Sequence, residues 1–475
     1  NWEEQLPQAY REWMLDGTGE IQLSARLEEK PEEIAAGIQG SLKAGSGSFF
    51  SGDGQYAASG LSARASFDVE ASFETSEGSL LDRLRKVDWK EQMLLQGQEA
   101  LYGAYYQDLS GVSLDVESRG TWWPAREVIQ FETAGMDLAQ LGSWSVTGKV
   151  ENIRREPEAD LAVKSRNFQL GPFYQRFIEE GVLKEILPAL NVWEGSGTVN
   201  ADFDVKGTRR EGWVEGRVQV KDGLLGKKQG LLLLIDDFDI DLPFLVGTRK
   251  DPGRQDSRQA PRAEFSYGQI LIGPLTLGSQ RLPFILYNND FRVPEQVDVP
   301  FYGGRLMIRE LVLQDFLSPD KQLAFDIQLR DVDLQPIAVD AGLPPLSGTI
   351  SASLPRFDTV EGGLVSDGPA QLEVFNGVID VNRPRVDGIF SGQPLISFSS
   401  EFRKIDLFVL TTVLQYGRAS GIIEGYLRDF RATPDGPRHF IAEVRSVPES
   451  GVDRRISADL IEVITAAGRG LNVAE

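Results

Sequence analysis

The sequence predicts a mainly β protein, an elongated and twisted antiparallel sheet of stacked repeat units with a few short helices. Three observations carry this. First, the chain matches itself at an offset of 73 residues, so that Tyr302 to Phe357 falls on Phe375 to Phe430 without a gap. Gly304 meets Gly377, Phe325 meets Phe398, Arg330 meets Arg403, and Asp333-Leu334 meets Asp406-Leu407. Ser347-Gly348 meets Ser420-Gly421, Leu354 meets Leu427 and Phe357 meets Phe430. A repeat of this length implies stacked copies of one supersecondary unit. Second, apolar residues recur at every other position. Leu323, Phe325, Ile327 and Leu329 alternate with polar neighbours, which places them on one face of a strand. Third, only about three segments carry a helical pattern, too few to cover that much strand.

Taken in order, residues 1–150 form an amino-terminal β segment. Ile21, Leu23, Ala25 and Leu27 alternate with polar residues, and Leu61 to Glu74 is the longest alternation, with Phe67, Val69 and Phe73 on its apolar side. Gly45 to Gly54 is read as a Gly/Ser hairpin connection. Residues 81–107 fit either helix or strand. The aromatic group Tyr102, Tyr105, Tyr106, Trp122 and Trp123 is read as core or sheet-edge packing.

Residues 151–300 form a diverged repeat segment. Arg166-Asn167-Phe168-Gln169-Leu170 resembles Arg330-Asp331-Val332-Asp333-Leu334, and Ser196-Gly197-Thr198-Val199 resembles Ser347-Gly348-Thr349-Ile350. The extra residues between them predict a helix over about 173–187, stopped by Pro188. Asp239-Ile240-Asp241-Leu242-Pro243 begins a partial copy, and 247–262 reads as a polar loop carrying several arginines. The repeat units proper are 301–357 and 375–430. In 431–475 a hairpin is expected to set Ile423, Gly425 and Leu427 against Phe440, Ala442 and Val444, followed by a helix from Ile456 to Ala467.

Composition narrows the function. Forty-nine Lys and Arg oppose 71 Asp and Glu, a net charge of -22. Phosphate contacts need a basic surface, so a nucleic-acid partner is not expected. With no cysteine, disulfides and thiolate metal sites are excluded. The longest aliphatic run is Leu231 to Ile235, far short of the roughly 20 apolar residues a membrane-spanning helix needs. The first residue is Asn1, which reads as a processed protein or an excised soluble piece.

Reactive chemistry is sparse. His439 is the sole histidine, so neither a Ser-His-Asp system nor a histidine zinc site can be assembled. Asp236, Asp237, Asp239 and Asp241 are dense, but the glycine and glutamate of an EF-hand loop are not at the required spacing. They read as strand-face charges. No enzyme activity, cofactor or metal is expected.

Two classes survive: a lipid-handling conduit, and a ligand-free structural or adhesive β-solenoid or sandwich of the cell envelope. Burial separates them. One-sided apolar strands must either close on each other or line a groove, and an uncovered groove is an apolar patch that soluble proteins avoid unless it binds something. Each acyl methylene buried there contributes about 0.8 kcal/mol.

The tandem units resemble the carboxy-terminal region of AsmA-like proteins, closest to the YdbH type. The resemblance is carried by Tyr302-Gly303-Gly304-Arg305-Leu306, Val332-Asp333-Leu334, Leu346-Ser347-Gly348-Thr349-Ile350 and their second copies. Gly417 to Asp429 is the most characteristic stretch, followed by Val447-Pro448, Gly451-Val452 and Arg455-Ile456-Ser457. It covers roughly the last 175 residues, loosely extends over 150–300, and touches the first 150 only in style. It implies a β-taco, a long twisted β-sheet groove that moves phospholipid or another acyl lipid between the inner and outer membranes of a diderm bacterium. It also implies a periplasmic location, an inner-membrane anchor not contained in this sequence, and a protein partner on the outer-membrane side. The groove lining is then expected to be Leu323, Phe325, Ile327, Leu329, Ile350, Leu354, Ile396, Phe398, Ile423 and Leu427, with Phe67, Val69, Phe73, Phe440 and Val444.

Overall fold

Long strands dominate because the alternation in the sequence persists over ten or more residues at a time. Tyr56–Glu74, the longest alternation, forms one strand of 19 residues. A computed structural model describes residues 14–31, 33–75, 79–103, 105–179, 192–227, 233–250, 260–318, 320–340, 348–388, 394–414, 418–433, 436–448 and 454–458. The fold is mainly β and antiparallel, with a few short helices.

The chain divides into two units, Asn1–Gly230 with Ile235–Ala263, and Leu231–Leu234 with Glu264–Glu475. The first unit lays its strands side by side largely in chain order. Met14–Lys30 pairs with Glu33–Phe50, that strand with Tyr56–Glu74, and that in turn with Leu84–Gln96. The ladder continues through Ser113–Trp123, Val128–Leu138, Gly142–Glu151, Glu158–Gln169, Trp193–Thr208 and Gly212–Lys227. Residues 84–102, open to either reading in the sequence, are strands, preceded by one helical turn at Leu80–Arg83. The Gly/Ser stretch also differs from expectation. Residues 45–50 belong to the strand Glu33–Phe50, and the turn is confined to Ser51–Gln55. There the Ser51 hydroxyl donates to Asp53 at 2.5 Å and accepts the Tyr56 N–H at 2.8 Å. That hydroxyl bond and the Gln55 N–H lower the Asp53 carboxyl below its usual range.

In the second unit the two repeat copies share one backbone plan. Strand Gly304–Gln314 pairs with Gln322–Asp333, and that with Thr349–Val360; at the same offset, Gly377–Asp387 pairs with Leu395–Asp406, and that with Ile422–Thr433. Phe325 faces Phe357 as Phe398 faces Phe430, and Val332 faces Ile350 as Ile405 faces Ile423. Between these pairs each copy holds the same bulge, with a non-glycine residue in the left-handed region, Asp331 (φ 51) and Lys404 (φ 54). The bulge flips the register, so Leu329 and Val332 lie on the same face although they are three residues apart.

A helix follows the bulge each time, Leu334–Asp340 and Leu407–Leu414. The aspartate before it caps the first turn. Asp333 accepts the Gln335 N–H at 2.9 Å, and Asp406 accepts the Phe408 N–H at 2.9 Å. Each aspartate's own N–H reaches back to the turn before the first strand, at Tyr302 O (2.9 Å) and Phe375 O (3.0 Å). Gly348 and Gly421 sit at φ 99 and 136, where a side chain would be strained, and their carbonyls accept the Leu334 and Leu407 N–H groups.

The diverged copy in the first unit keeps the core of this plan. Ser165 faces Ala201 and Phe168 faces Val199 across a bulge at Asn167 (φ 52), with Gly197 at φ 120. Its helical segment begins at Leu170, three residues earlier than the helix expected over 173–187, because Leu170 occupies the place of Leu334 and Leu407 directly after the bulge. It runs as a short α turn, Leu170–Phe173, widening into a π turn, Tyr174–Glu179. Residues 180–191 lie outside the described residues. The partial copy at Asp239 does not turn into a helix, since the strand Leu233–Gly247 runs straight through it. Near the carboxy terminus, Ile456 belongs to a two-residue strand paired with Ala419–Ser420 rather than to a helix; Ala458 is helical, and residues 459–467 of that expected helix lie outside the described residues.

Candidate functional site

The strand ladders align side chains into rows that cross each unit. In the first unit one row reads Ile21, Leu42, Ala65, Met93, Val116, Met136, Trp144, Ser165, Ala201 and Val218, each directly opposite the next. The adjacent row, one residue along each strand and therefore on the other face, contains Gln22, Ser41, Ser66, Gln92 and Glu117, and ends on Lys164, Asp202 and Arg217. One face is carbon and the other is wet. Val69 belongs to the apolar face between Ile38 and Trp89; Phe67 and Phe73 lie on it too, opposite Gly40 and Ile34. Gly40 has no room for more, since a Cβ there would lie 2.5 Å from the Phe67 ring. Gly120 likewise leaves space for Trp89, whose ring meets Phe131 edge-on at 6.0 Å.

In the second unit the corresponding row is Val299, Leu306, Leu329, Ala352, Leu372, Ile379, Phe402, Gly425 and Val444. Its neighbour on the opposite face is Asp298, Met307, Gln328, Ser353, Gln371, Asp380, Glu401, Tyr426 and Glu443. The ladder puts Leu323, Phe325, Ile327, Leu329, Ile350 and Leu354 on the apolar face, and Ile396, Phe398, Ile423 and Leu427 on the same face one copy later. Each copy sets a cross-strand phenylalanine pair on it. Phe325 and Phe357 stack at 5.0 Å, Phe398 and Phe430 meet at 4.6 Å, and Phe440 joins the latter at 6.3 Å from Phe430. The closing hairpin pairs Gly425 with Val444 and Leu427 with Ala442; Ile423 faces Ser446, so Phe440 sits opposite the bulge rather than in a direct pair.

Exposure varies along this face. Val332, Ala352 and Phe357 are buried, whereas Ile396, Phe440 and Val444 are 44%, 44% and 60% exposed. Val332, Ile379, Phe402 and Ile405 lie on this face as well, beyond the expected lining residues. The 73-residue offset points to them, since it matches Leu306 with Ile379, Leu329 with Phe402 and Val332 with Ile405, apolar in both copies.

Several charged residues of the opposite face are paired with one another. Arg356 bridges Asp358 (2.8 Å) and Glu310, and the bond to Asp358 holds its guanidinium above the ordinary range. Tyr302 donates to Asp340 at 2.5 Å and accepts the Thr276 N–H at 2.8 Å; burial and then the Asp340 bond raise its hydroxyl pKa. Of the aspartates in the 236–241 run, Asp241 is held by Arg217 at 2.5 Å and Asp239 accepts the Asp222 N–H at 3.0 Å. Among the described residues no cluster of three or more His, Asp or Glu could hold a metal ion, and no helix is long and apolar enough to cross a membrane. His439 is an exposed strand residue paired with Arg431. The tyrosines and tryptophans of 102–123 do not form a platform: Tyr106 donates to Glu99 at the hairpin edge, and Trp122 stands in the ladder between Val87 and Ile129. Of the polar loop 247–262, Arg249 pairs with Glu211, and residues 251–259 lie outside the described residues.

No family model matches this chain, no curated protein matches its sequence, and no solved structure matches its fold.

Proposed function

We propose that this protein is a lipid-transfer conduit whose apolar β faces carry the acyl chains of phospholipid, or of another acyl lipid, with the head groups in water. The observation that carries this reading is the row of nonpolar residues crossing nine strands of the second unit, with Val444 of the row and Ile396 on the same face left open to solvent. Such a surface is costly in water unless something covers it, and a sliding chain needs a continuous strip rather than a closed pocket. The resemblance of the repeats to AsmA-like proteins adds a setting, the periplasm between two membranes, with an inner-membrane anchor and an outer-membrane-side partner beyond this sequence. Transport is passive in this scheme and uses no catalytic residue, cofactor or metal.

A ligand-free structural or adhesive role is the second reading, favoured by Val332 and Phe357, which are 0% and 7% exposed and are packed as a protein core would be. Native mass spectrometry and solvent extraction of the purified chain separate the two. The conduit reading expects co-purifying acyl lipid; a chain free of lipid when prepared from membranes in gentle conditions supports the structural reading.

A further inference from the structure

At one end of the apolar face of the first unit the sheet forks. Strand Tyr56–Glu74 pairs with Leu84–Gln96 over residues 62–73, then changes partner and pairs with Glu99–Tyr102 over residues 56–59. The kink falls at Gly60, whose φ of 62 favours glycine. The neighbouring strand Glu33–Phe50 loosens at the same level, with register shifts on either side of Gly47. The hairpin Glu99–Tyr102 and Tyr105–Asp108 therefore leaves the ladder, and a cavity of about 510 Å3 opens in the fork.

Its walls are carbon. Ala63, Leu95, Leu114 and Leu138 form a cross-strand row at its base, and Leu109 and Phe177 close it. Phe177 is held in place by polar staples behind it. Buried Gln107 donates to the Arg176 carbonyl at 2.9 Å, and Arg176 donates to the Ser110 carbonyl at 2.9 Å. The polar side chains around the cavity are Asp16, Ser48, Ser62 and Gln96, and among the described residues no lysine or arginine lines it.

We infer that this fork is a binding site for one long alkyl chain bearing an uncharged or ammonium head group. The volume sets the stoichiometry. An apolar cavity of roughly 150 Å3 holds a benzene ring, and at that density about 510 Å3 takes roughly 20 carbons, one long chain and not two. The lining sets the chemistry, since a carbon-walled pocket with a few polar groups binds apolar ligands and orients them by their polar ends. Asp16, with no cation among the described residues of the lining, repels a carboxylate head and accepts an ammonium. This site differs from the open face of the second unit in being closed at one end, so it retains a chain rather than letting it slide. The inference does not rest on the conduit reading.

The test uses the whole chain, stripped of lipid, with dodecylamine and dodecanoate as probes and native mass spectrometry as the readout. The expected result is one retained dodecylamine under conditions in which dodecanoate is lost. Filling the fork by Ala63→Trp, or by Leu114→Phe as a second and milder variant, lowers retention at least tenfold, whereas Phe398→Asp in the second unit leaves it unchanged. Equal retention in a folded filling variant, or equal retention of the two probes, overturns the proposal. Absence of lipid from the second unit with retention in the fork would sink the conduit alone.

Discussion

The two repeat copies of the second unit keep their backbone devices and their facing phenylalanines and exchange many of the other side chains. Both hold the left-handed bulge, the aspartate cap and the glycine that receives the helix, at Asp331, Asp333 and Gly348 in one and Lys404, Asp406 and Gly421 in the other. Their side chains change in compensating sets. On the apolar face, Leu329 opposite Ala352 becomes Phe402 opposite Gly425, large growing larger as small becomes smaller. On the polar face, Glu310, Arg356 and Asp358 become Arg383, Asp429 and Arg431, with every sign reversed. The fold thus demands the bulge and its caps, whereas a row needs only apolar volume, and the charges of the polar face are free to change sign.

The largest expected effect concerns a charge placed on the apolar face, at a buried position of one copy and at a partly open position of the other. Phe357→Asp buries an unpaired carboxylate and costs several kcal/mol, with unfolding readily seen by chemical denaturation. Phe398→Asp, on a partly open stretch beside Ile396, leaves the chain folded with a modest loss of stability but strips acyl lipid from the second unit, while retention in the fork of the first unit is unchanged. Equal destabilisation by both would mean that the face is a closed core in both copies.

Size compensation predicts the next effect. A Cβ at Gly425 would lie 2.7 Å from the Phe402 ring and 2.0 Å from the Glu443 carbonyl oxygen. Gly425→Ala therefore costs about 1–3 kcal/mol by overpacking. Adding Phe402→Leu, which rebuilds the pair of the other copy, recovers part of that loss in a double-mutant cycle. No recovery would show that the backbone contact with Glu443 dominates.

Smaller effects follow on the caps and the outer face. Asp333→Ala and Asp406→Ala each lose about 1 kcal/mol, measured by urea denaturation, with the larger loss at Asp406, which also accepts the Val409 N–H at 3.3 Å. Arg356→Asp costs on the order of 1 kcal/mol or less, because its partners are solvent-accessible. Adding Glu310→Arg and Asp358→Arg, the charges of the second copy, restores the loss.

Strand character and the offset of 73 were legible because both are written in side-chain polarity. The face shared by Phe325 and Phe398 followed directly from alternation. The bulges were not legible: Asn167, Asp331 and Lys404 adopt positive φ without being glycine, and each reverses the alternation locally. Gly45 to Gly54 read as a turn because small residues favour turns, yet Gly47 serves a register shift inside a strand. The helix expected at 173 was set by its apolar spacing, whereas the repeat plan starts it at Leu170. The rows depend on which strands become neighbours, and a local pattern carries no such information.

The central claim is that acyl chains occupy the apolar face at the second phenylalanine pair. A photo-crosslinking amino acid at Phe398, irradiated in cells and followed by mass spectrometry of the adduct, tests it directly. The account predicts adducts of phospholipid or other acyl-lipid mass at Phe398 and none at Glu401, on the opposite face of the same strand. A folded protein with no lipid adduct at Phe398, or equal capture at both positions, would contradict it.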